Sequence, residues 1–155
     1  MTAYYLDSSA LVKRYLTEVG SVWVDSITDP AAGHRILVTE IALVEVAAAL
    51  AARHRTPRGI SRRARDGALA LFRRHFATEY EVTAITRPLL DQAVDLTQRH
   101  RLRGYDAVQL ATALAVESSL VMAGLPGLTF VAADADLVAA ARAEGLGADD
   151  PNLHP

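Results

Sequence analysis

The chain has 155 residues, of which 51% are hydrophobic and 22% are charged, the balance of an ordinary globular protein that can bury a core. It has no cysteine, which excludes disulfide frameworks, thiol nucleophiles and cysteine-ligated zinc or iron–sulfur sites. No uncharged apolar stretch approaches the roughly 18 residues that span a bilayer, and the first residues lack the pattern of a secretion signal. We therefore expect one domain over residues 1–155, located in the cytoplasm and without a membrane partner.

The distribution of charge is more informative than its sum of −2. Nearly all the basic residues are arginine, whose guanidinium group binds phosphate through two parallel hydrogen bonds. Arginine and histidine are concentrated in two stretches, residues 53–75 and 99–103. This pattern is compatible with a surface that binds RNA, and equally with solvated helix faces.

The first half of the chain alternates short apolar strands with helices. Turn residues separate these elements, as at Asp29-Pro30 and at residues 56–59. In chain order, we predict a strand at 4–6, an apolar helix capped by Ser8-Ser9, a helix at 22–27, a strand at 36–38, an apolar helix at 41–52, and an amphipathic helix carrying Ala64, Ala68, Leu71, Phe72 and Phe76.

The second half continues the same alternation. Thr86 and Pro88 are typical of the start of a helix, and Gly145 is typical of the residue that ends one. In chain order, we predict a strand at 80–85, a helix after Thr86, a helix that starts near Gly104, a strand at 128–132, a helix at 134–143, and a short strand near Ala148.

Strands that alternate with helices pair in parallel, because each crossover connection passes over a face of the sheet. The predicted fold is therefore α/β, a three-layer α/β/α sandwich with a mainly parallel central sheet of four to five strands. Ligands of such open sheets bind outside the carboxyl ends of the strands. Asp7 and Asp134 each come just after a predicted strand.

Several carboxylates stand alone in segments that are otherwise apolar, where solubility does not explain them. They are Asp7, Glu45, Asp106, Asp134 and Asp136. Burying an ionised carboxylate without a partner is costly, and several together repel one another unless they share a cation. Oxygen-only ligands favour Mg²⁺ or Mn²⁺ over zinc, and Mg²⁺ keeps several of its waters.

Each acid also has a structural explanation. Asp7, Asp106 and Asp134 could cap the helices that they precede, and Asp136 would be favourable in a first turn. Glu45 is the hardest to explain in this way, because it is predicted to lie mid-helix and to point toward a core. A structural role for Glu45 would need a buried basic partner, for which Lys13 and Arg53 are the candidates.

Four segments, in the order expected for the family, resemble the PIN-domain family, and in particular its VapC toxin branch. They are the opening YYLDSSALVKRY, the central TEIALVEVAAAL, the later LRGYDAVQLATAL and the closing TFVAADADLVAAARAEGL, and together they span nearly the whole chain. The resemblance implies a PIN-like fold over residues 1–155 and a magnesium-dependent endoribonuclease, with Mn²⁺ as a substitute. It also implies an RNA substrate, a cognate antitoxin protein and a homodimer.

The resemblance assigns roles to the acids. Asp7 and Asp106 match direct metal ligands, Glu45 matches a helical glutamate that supports the metal or its waters, and Asp134 matches the fourth catalytic acid. Asp136 is an additional acid of the metal site. The five histidines show no spacing of metal ligands and are expected at the surface or in the basic patches.

Competing functions remain open at this point. Asp134 and Asp136 imitate the DxD motif of haloacid-dehalogenase-like phosphatases, but too little sequence follows them to complete that fold. A receiver domain would need a central strand-end aspartate with Thr and Lys strand ends, which are missing. A PIN nuclease of RNA maturation without an antitoxin would have the same acids, and a catalytically silent PIN-fold binding module is less consistent with their presence.

Overall fold

The computed structural model describes residues 1–155 and contains seven α-helices and five strands. The strands are β1 (Ala3–Leu6), β2 (Arg35–Thr39), β3 (Glu81–Thr83), β4 (Leu128–Val131) and β5 (Gly147–Asp149). The helices are α1 (Ser8–Leu11), α2 (Ser21–Thr28), α3 (Ala42–Arg55), α4 (Arg62–Thr78), α5 (Arg87–Arg99), α6 (Gly104–Met122) and α7 (Ala135–Ala143). Every predicted element is present within a few residues of its expected bounds.

The five strands form one sheet in the order β3-β2-β1-β4-β5, and every pair is parallel. Strand β1 is central, with Tyr5 opposite Leu37 of β2 on one side and opposite Phe130 of β4 on the other. The chain first builds outward from β1 through β2 to β3, and then returns to add β4 and β5 on the other side. The carboxyl ends of β1 and β4 therefore meet where the order reverses, which is where ligands of open α/β sheets bind.

Alternate side chains of the strands enter two separate cores, one on each face of the sheet. Tyr5 and Phe130 belong to the core formed with α5, α6 and α7. Leu6 and Val131 belong to the core formed with the helices α1 to α4. Helical layers on both faces of a parallel sheet confirm the predicted three-layer α/β/α sandwich.

Two details at the helix starts differ from the predictions. The cap of α1 is Asp7, as the structural explanation of this acid expects, and not the Ser8-Ser9 pair, since the Asp7 side chain accepts a hydrogen bond from the backbone N–H of Ala10. Helix α3 begins at Ala42, so Glu45 lies in its first turn rather than at mid-helix. Both acids are thus at the amino-terminal ends of helices, where the dipole favours negative charge.

Helix α4 packs most of its predicted face against the core, since Phe72 is buried and Ala68 and Phe76 are partly buried beside it. Phe72 and His75 are its buried residues, whereas Leu71 is 37% exposed and Ala64 is exposed. The expectation of a surface position is therefore wrong for His75, whose Nδ1 lies 2.8 Å from the hydroxyl of Tyr15.

No helix of the chain is both long enough and apolar enough to cross a bilayer.

Candidate active site

The loops that follow β1 and β4 are tied together at the carboxyl edge of the sheet. The backbone N–H of Asp7 donates to the carbonyl of Val131 over 3.0 Å. Two residues further along both segments, the Ser9 hydroxyl accepts a hydrogen bond from the N–H of Ala133 (2.9 Å) and donates to Oδ1 of Asp7 (2.7 Å). Ser9 therefore fixes the Asp7 carboxylate to the loop that carries Asp134.

Asp7 is the most buried acid of the site, with 4% of its surface exposed. Burial raises the pKa of this carboxyl to about 7, hydrogen bonds from Ser9 and Ala10 oppose the rise, and the charge of Asp106 adds to it. No lysine, arginine or histidine forms an ion pair with Asp7. A cation supplied from outside the chain would therefore stabilise its ionised form.

Asp106 connects the acids that come from different elements. It lies half-buried in the first turn of α6, where Arg103 occupies the cap position, so the alternative that Asp106 itself caps the helix is wrong. Burial raises the pKa of Asp106, and repulsion from Asp134 and then from Glu45 raises it further, against a backbone hydrogen bond from Arg103. Asp106 thus lies within electrostatic reach of Asp7, Glu45 and Asp134, which come from three different parts of the chain.

The contacts of Glu45 show whether a basic residue of the chain neutralises its charge. Its Oε1 accepts hydrogen bonds from the Ser8 hydroxyl (2.9 Å) and from the Gln109 amide (2.8 Å), both neutral donors. The two basic candidates pair elsewhere, since Lys13 and Arg53 lie 3.8 and 3.7 Å from carboxylate oxygens of Glu18. The half-buried charge of Glu45 is therefore not compensated by either basic residue.

Asp134 and Asp136 are exposed at the start of α7. The side chain of Asp134 accepts from the N–H groups of Asp136 and Leu137, so it does cap the helix, as the structural explanation expects. Both acids also line a cavity of about 280 Å³ together with Asp106, Leu102 and two arginines, Arg101 and Arg103. The cap of Asp134 uses Oδ1, and no group of the protein donates to its Oδ2.

The residues present suit a hard divalent ion. All five predicted site acids offer carboxylate oxygens, and none of them takes part in an ion pair within the chain. No three acidic or histidine side chains lie close enough to surround an ion on their own. This arrangement is compatible with Mg²⁺, which takes one or two carboxylates directly and keeps waters in its other positions.

Three polar side chains of the site were missed by the sequence analysis as functional candidates: Tyr5, Ser8 and Gln109. Gln109 could have been found, because it is an amide within an apolar helical stretch, three residues after Asp106 and so on the same side of α6. An isolated charge is conspicuous in an apolar stretch, whereas a neutral amide is not. Tyr5 lies in an apolar strand, where a tyrosine is equally well explained by packing of its ring, so the role of its hydroxyl is not evident from the sequence.

The histidines all have contacts outside the acidic site. Their ring nitrogens have hydrogen-bond partners elsewhere: the N–H of Thr2 for His34, the carbonyl of Ile60 for His54, Tyr15 for His75, Glu144 for His100, and Asp149 for His154, whose ring also stacks on Trp23. None of these contacts involves a predicted site acid. The acidic site therefore offers carboxylate oxygens and no histidine nitrogen as possible metal ligands, and arginine lies at its rim.

Comparison with known proteins agrees with this architecture. The model of the PIN-domain family matches residues 4–143. Two Mycobacterium tuberculosis relatives, Ribonuclease VapC45 of strain CDC 1551 / Oshkosh and Ribonuclease VapC49 of strain ATCC 25618 / H37Rv, are each 34% identical over 158 residues, with 100% of both chains covered. The crystal structure of Mycobacterium tuberculosis VapC20, a sarcin-ricin loop cleaving toxin, matches with a TM-score of 0.59 and 19% identity over 92% of this chain and 95% of that one. The chain belongs to the PIN-domain family.

Proposed function

We propose that the protein is a metal-dependent endoribonuclease that hydrolyses RNA phosphodiester bonds. The observation that carries this proposal is a buried carboxylate, Asp7, that lies within reach of Asp106 and has no cation of the chain beside it. An oxygen-rich site of this kind at the carboxyl edge of a parallel sheet suits the binding of Mg²⁺, or of Mn²⁺ in its place. The relatives named as ribonucleases support RNA as the substrate.

The residues of the site have distinct tasks in such a reaction. Asp7 and Asp106 would bind the ion directly, and Glu45, Asp134 and Asp136 would contact it or its waters. When bound, the ion supplies positive charge at the phosphate and lowers the pKa of water. Asp7 has to be ionised for this, and the Ser9 hydroxyl stabilises that form by donating to its Oδ1.

The groups that handle the nucleophile and the substrate belong to the chain. Glu45 and Asp134 each keep an oxygen that accepts no hydrogen bond from the protein, so either can orient a water molecule and accept its proton. Arg101 and Arg103, exposed at the rim of the cavity, can neutralise an RNA phosphate that the acids alone would repel. Attack in line on the phosphorus would leave a 3′-hydroxyl and a 5′-phosphate.

We further propose that the protein is the toxin of a type II toxin–antitoxin pair, acting in the cytoplasm as a homodimer that a cognate antitoxin protein holds inactive. The support is the names of the relatives at 34% identity, which cover the whole chain. A nuclease of RNA maturation would have the same acids but no antitoxin. A small reading frame directly upstream that encodes a DNA-binding partner distinguishes the two, since only the toxin requires it.

Substitution of the two proposed direct ligands tests the activity. Asp7→Asn and Asp106→Asn each keep the size of the side chain and remove a charged oxygen, and each is expected to lower Mg²⁺-dependent RNA cleavage about 100-fold or more. The readouts are cleavage-end mapping in cells and growth arrest on expression. Asp91→Asn is the matched control, because Asp91 is an exposed aspartate paired only with Arg87. Full activity in Asp7→Asn would refute the proposed metal site.

A further inference from the structure

A chain of hydrogen bonds runs from the centre of the sheet to the acidic site. The Tyr5 hydroxyl donates to Oε1 of Gln109 over 2.9 Å. The amide nitrogen of Gln109 donates to Oε1 of Glu45 (2.8 Å) and to the Ser8 hydroxyl (3.0 Å), and Ser8 in turn donates to the same oxygen of Glu45 (2.9 Å). Four residues from β1, α1, α3 and α6 are thus joined through one amide.

The donors and acceptors of this chain permit only one orientation of the Gln109 amide. Its carbonyl oxygen faces the phenol of Tyr5, and its two N–H groups face the oxygens of Ser8 and Glu45. A flipped amide would place its carbonyl oxygen against the Glu45 carboxylate, where both groups are acceptors. The Glu45 carboxylate, which only accepts, therefore fixes which side of Gln109 faces it, and the Tyr5 hydroxyl anchors the opposite end of the amide by donating to its carbonyl oxygen.

Both donors converge on one oxygen of Glu45. Oε1 receives the hydrogen bonds of Gln109 and Ser8, whereas no group of the protein donates to Oε2. The carboxylate is held at one oxygen and keeps the other available. This is the arrangement required of a side chain that has to orient water or a cation in a fixed direction.

The burial of the amide is unexpected if its only role is packing. Gln109 is 1% exposed and Tyr5 is fully buried, and the neighbouring residues Ala107, Leu110 and Ala111 of α6 are buried apolar residues. A buried amide costs free energy unless its donors and acceptors are all paired, whereas an apolar side chain of the same length would fill this space without such a requirement. The polar side chain at this position therefore serves the contact with Glu45.

We infer that Gln109 is a positioning residue of the active site, which holds Glu45 with Oε2 free and is itself anchored by the Tyr5 hydroxyl. The inference rests on the proposed function, because Glu45 needs a fixed direction only if it acts on a divalent ion or on a water molecule. Gln109 does not contact the reacting atoms. Its effect on the reaction is transmitted through the Glu45 carboxylate.

A double-mutant cycle on the full chain tests this role. Gln109→Met keeps an unbranched side chain of similar length and removes both amide donors. We expect it to lower kcat about 10-fold or more with little change in KM for RNA, and to weaken Mn²⁺ binding, measured by calorimetry, by a similar factor. In a Glu45→Gln background the same substitution is expected to cause no further loss, because the group that it positions is already altered.

Two further variants separate positioning from a general loss of structure. Tyr5→Phe removes only a hydroxyl that does not touch Glu45, and it is expected to reduce kcat and Mn²⁺ affinity in the same direction by about three-fold. Thr28→Val is the control, because Thr28 is equally buried and its hydroxyl donates to a carbonyl of its own helix. It is expected to leave both quantities unchanged.

The outcomes distinguish this inference from the function on which it rests. If the unaltered chain neither binds Mn²⁺ nor cleaves RNA, the proposed function is wrong and the inference is overturned with it. If the unaltered chain does both and Gln109→Met behaves like it, the inference alone is overturned. An equal loss from Gln109→Met in the presence and absence of Glu45→Gln also overturns it, since the effect then does not pass through Glu45.

Discussion

Two groups of acids in this molecule differ in how their charge is compensated. Away from the carboxyl edge of the sheet, four glutamates each have a basic group within 4 Å: Glu18 with Lys13 and Arg53, Glu79 with Arg14, Glu81 with Arg35, and Glu144 with Arg99. At the carboxyl edge, Asp7, Glu45 and Asp106 have no such partner, although Arg101 and Arg103 line the same cavity as Asp106.

The pKa values of Glu81 and Glu144 move in the opposite direction to those of Asp7 and Asp106. Hydrogen bonds from Arg35 and from His100 hold the pKa values of Glu81 and Glu144 below their usual range. Burial raises the pKa values of Asp7 and Asp106. The ionised forms of Glu81 and Glu144 therefore add to the stability of the folded chain, whereas those of Asp7 and Asp106 reduce it in the absence of a bound cation. A protein accepts such a cost where binding requires it.

The sharpest test of this difference is the stability of Asp7→Asn without metal. The folded chain binds the Asp7 proton more tightly than the unfolded chain, so ionisation of Asp7 destabilises the fold. This effect is absent below about pH 4, grows as the pH rises and is complete above about pH 7. A pKa that rises from 3.8 to about 7 corresponds to at most about 4 kcal/mol. We expect Asp7→Asn to stabilise the protein by about 2–4 kcal/mol at pH 8 and by almost nothing at pH 4.

Urea unfolding in the presence of EDTA measures this effect. Asparagine can still accept the hydrogen bonds of Ser9 and Ala10, so the helix cap is kept. Glu18→Gln is the comparison from the other group, and it is expected to destabilise the chain at pH 8 because Lys13, which is 5% exposed, loses its charged partner. A loss of stability in Asp7→Asn at pH 8 would mean that a partner inside the protein compensates its charge.

The fold could be predicted from local patterns because the relevant information is local. Short apolar strands at residues 36–38 and 128–132, with helices between them, are sufficient to indicate a parallel sheet. Which side of a helix is buried depends on what packs against it, and α4 shows this. Its buried His75 finds a polar partner in Tyr15, sixty positions earlier in the chain, which no periodicity within α4 can indicate.

The charged members of the site could be predicted in the same way, because an isolated acid in an apolar segment is visible in the sequence. The residues that orient them could not, since their roles depend on contacts between distant segments. Gln109 reaches Ser8 across 101 positions and Glu45 across 64 positions. Ser9 connects to Ala133 across 124 positions. A neutral hydrogen-bonding side chain reveals its partner only once the chain is folded.

Arginines at the rim of the cavity provide a second test of the comparison, with a smaller expected effect. Arg101 and Arg103 lie beside acids without pairing with them, which leaves both guanidinium groups free for RNA phosphates. In an Asp7→Asn background that does not cleave, Arg101→Ala with Arg103→Ala is expected to weaken binding of single-stranded RNA about 10-fold. The slope of log K against log salt concentration should fall by about 1.4, or about 0.7 per lost phosphate contact.

The matched control for this test is Arg73→Ala with Arg74→Ala. These arginines are also exposed and adjacent, but they lie on α4 and do not line the cavity. We expect their loss to change the salt slope less than the loss of Arg101 and Arg103. Equal changes in the two double variants would show that RNA follows the arginine-rich surface of α4 as closely as the rim of the cavity.

The smallest expected effect concerns an acid of the paired group. Glu144 is contacted by Arg99 (2.9 Å) and His100 (2.7 Å), and these partners lower its pKa. Because the folded-state pKa is the lower one, the contribution of Glu144 is present above its unfolded pKa and is lost as the pH falls below about 4. Partly exposed pairs are worth little, so Glu144→Gln is expected to cost about 0.5–1 kcal/mol at pH 7 and nothing at pH 3.

Urea unfolding at the two pH values measures this difference, with Asp95→Asn as the control because Asp95 is exposed and forms no ion pair. The important result is the sign of the change in the free energy of unfolding. Neutralising Glu144 and neutralising Asp7 should shift stability in opposite directions at neutral and higher pH, because only one of the two carboxylates has its counter-charge inside the protein. If both shifts have the same sign, the two groups of acids do not differ in the way that the structure indicates, and Asp7 is compensated within the fold.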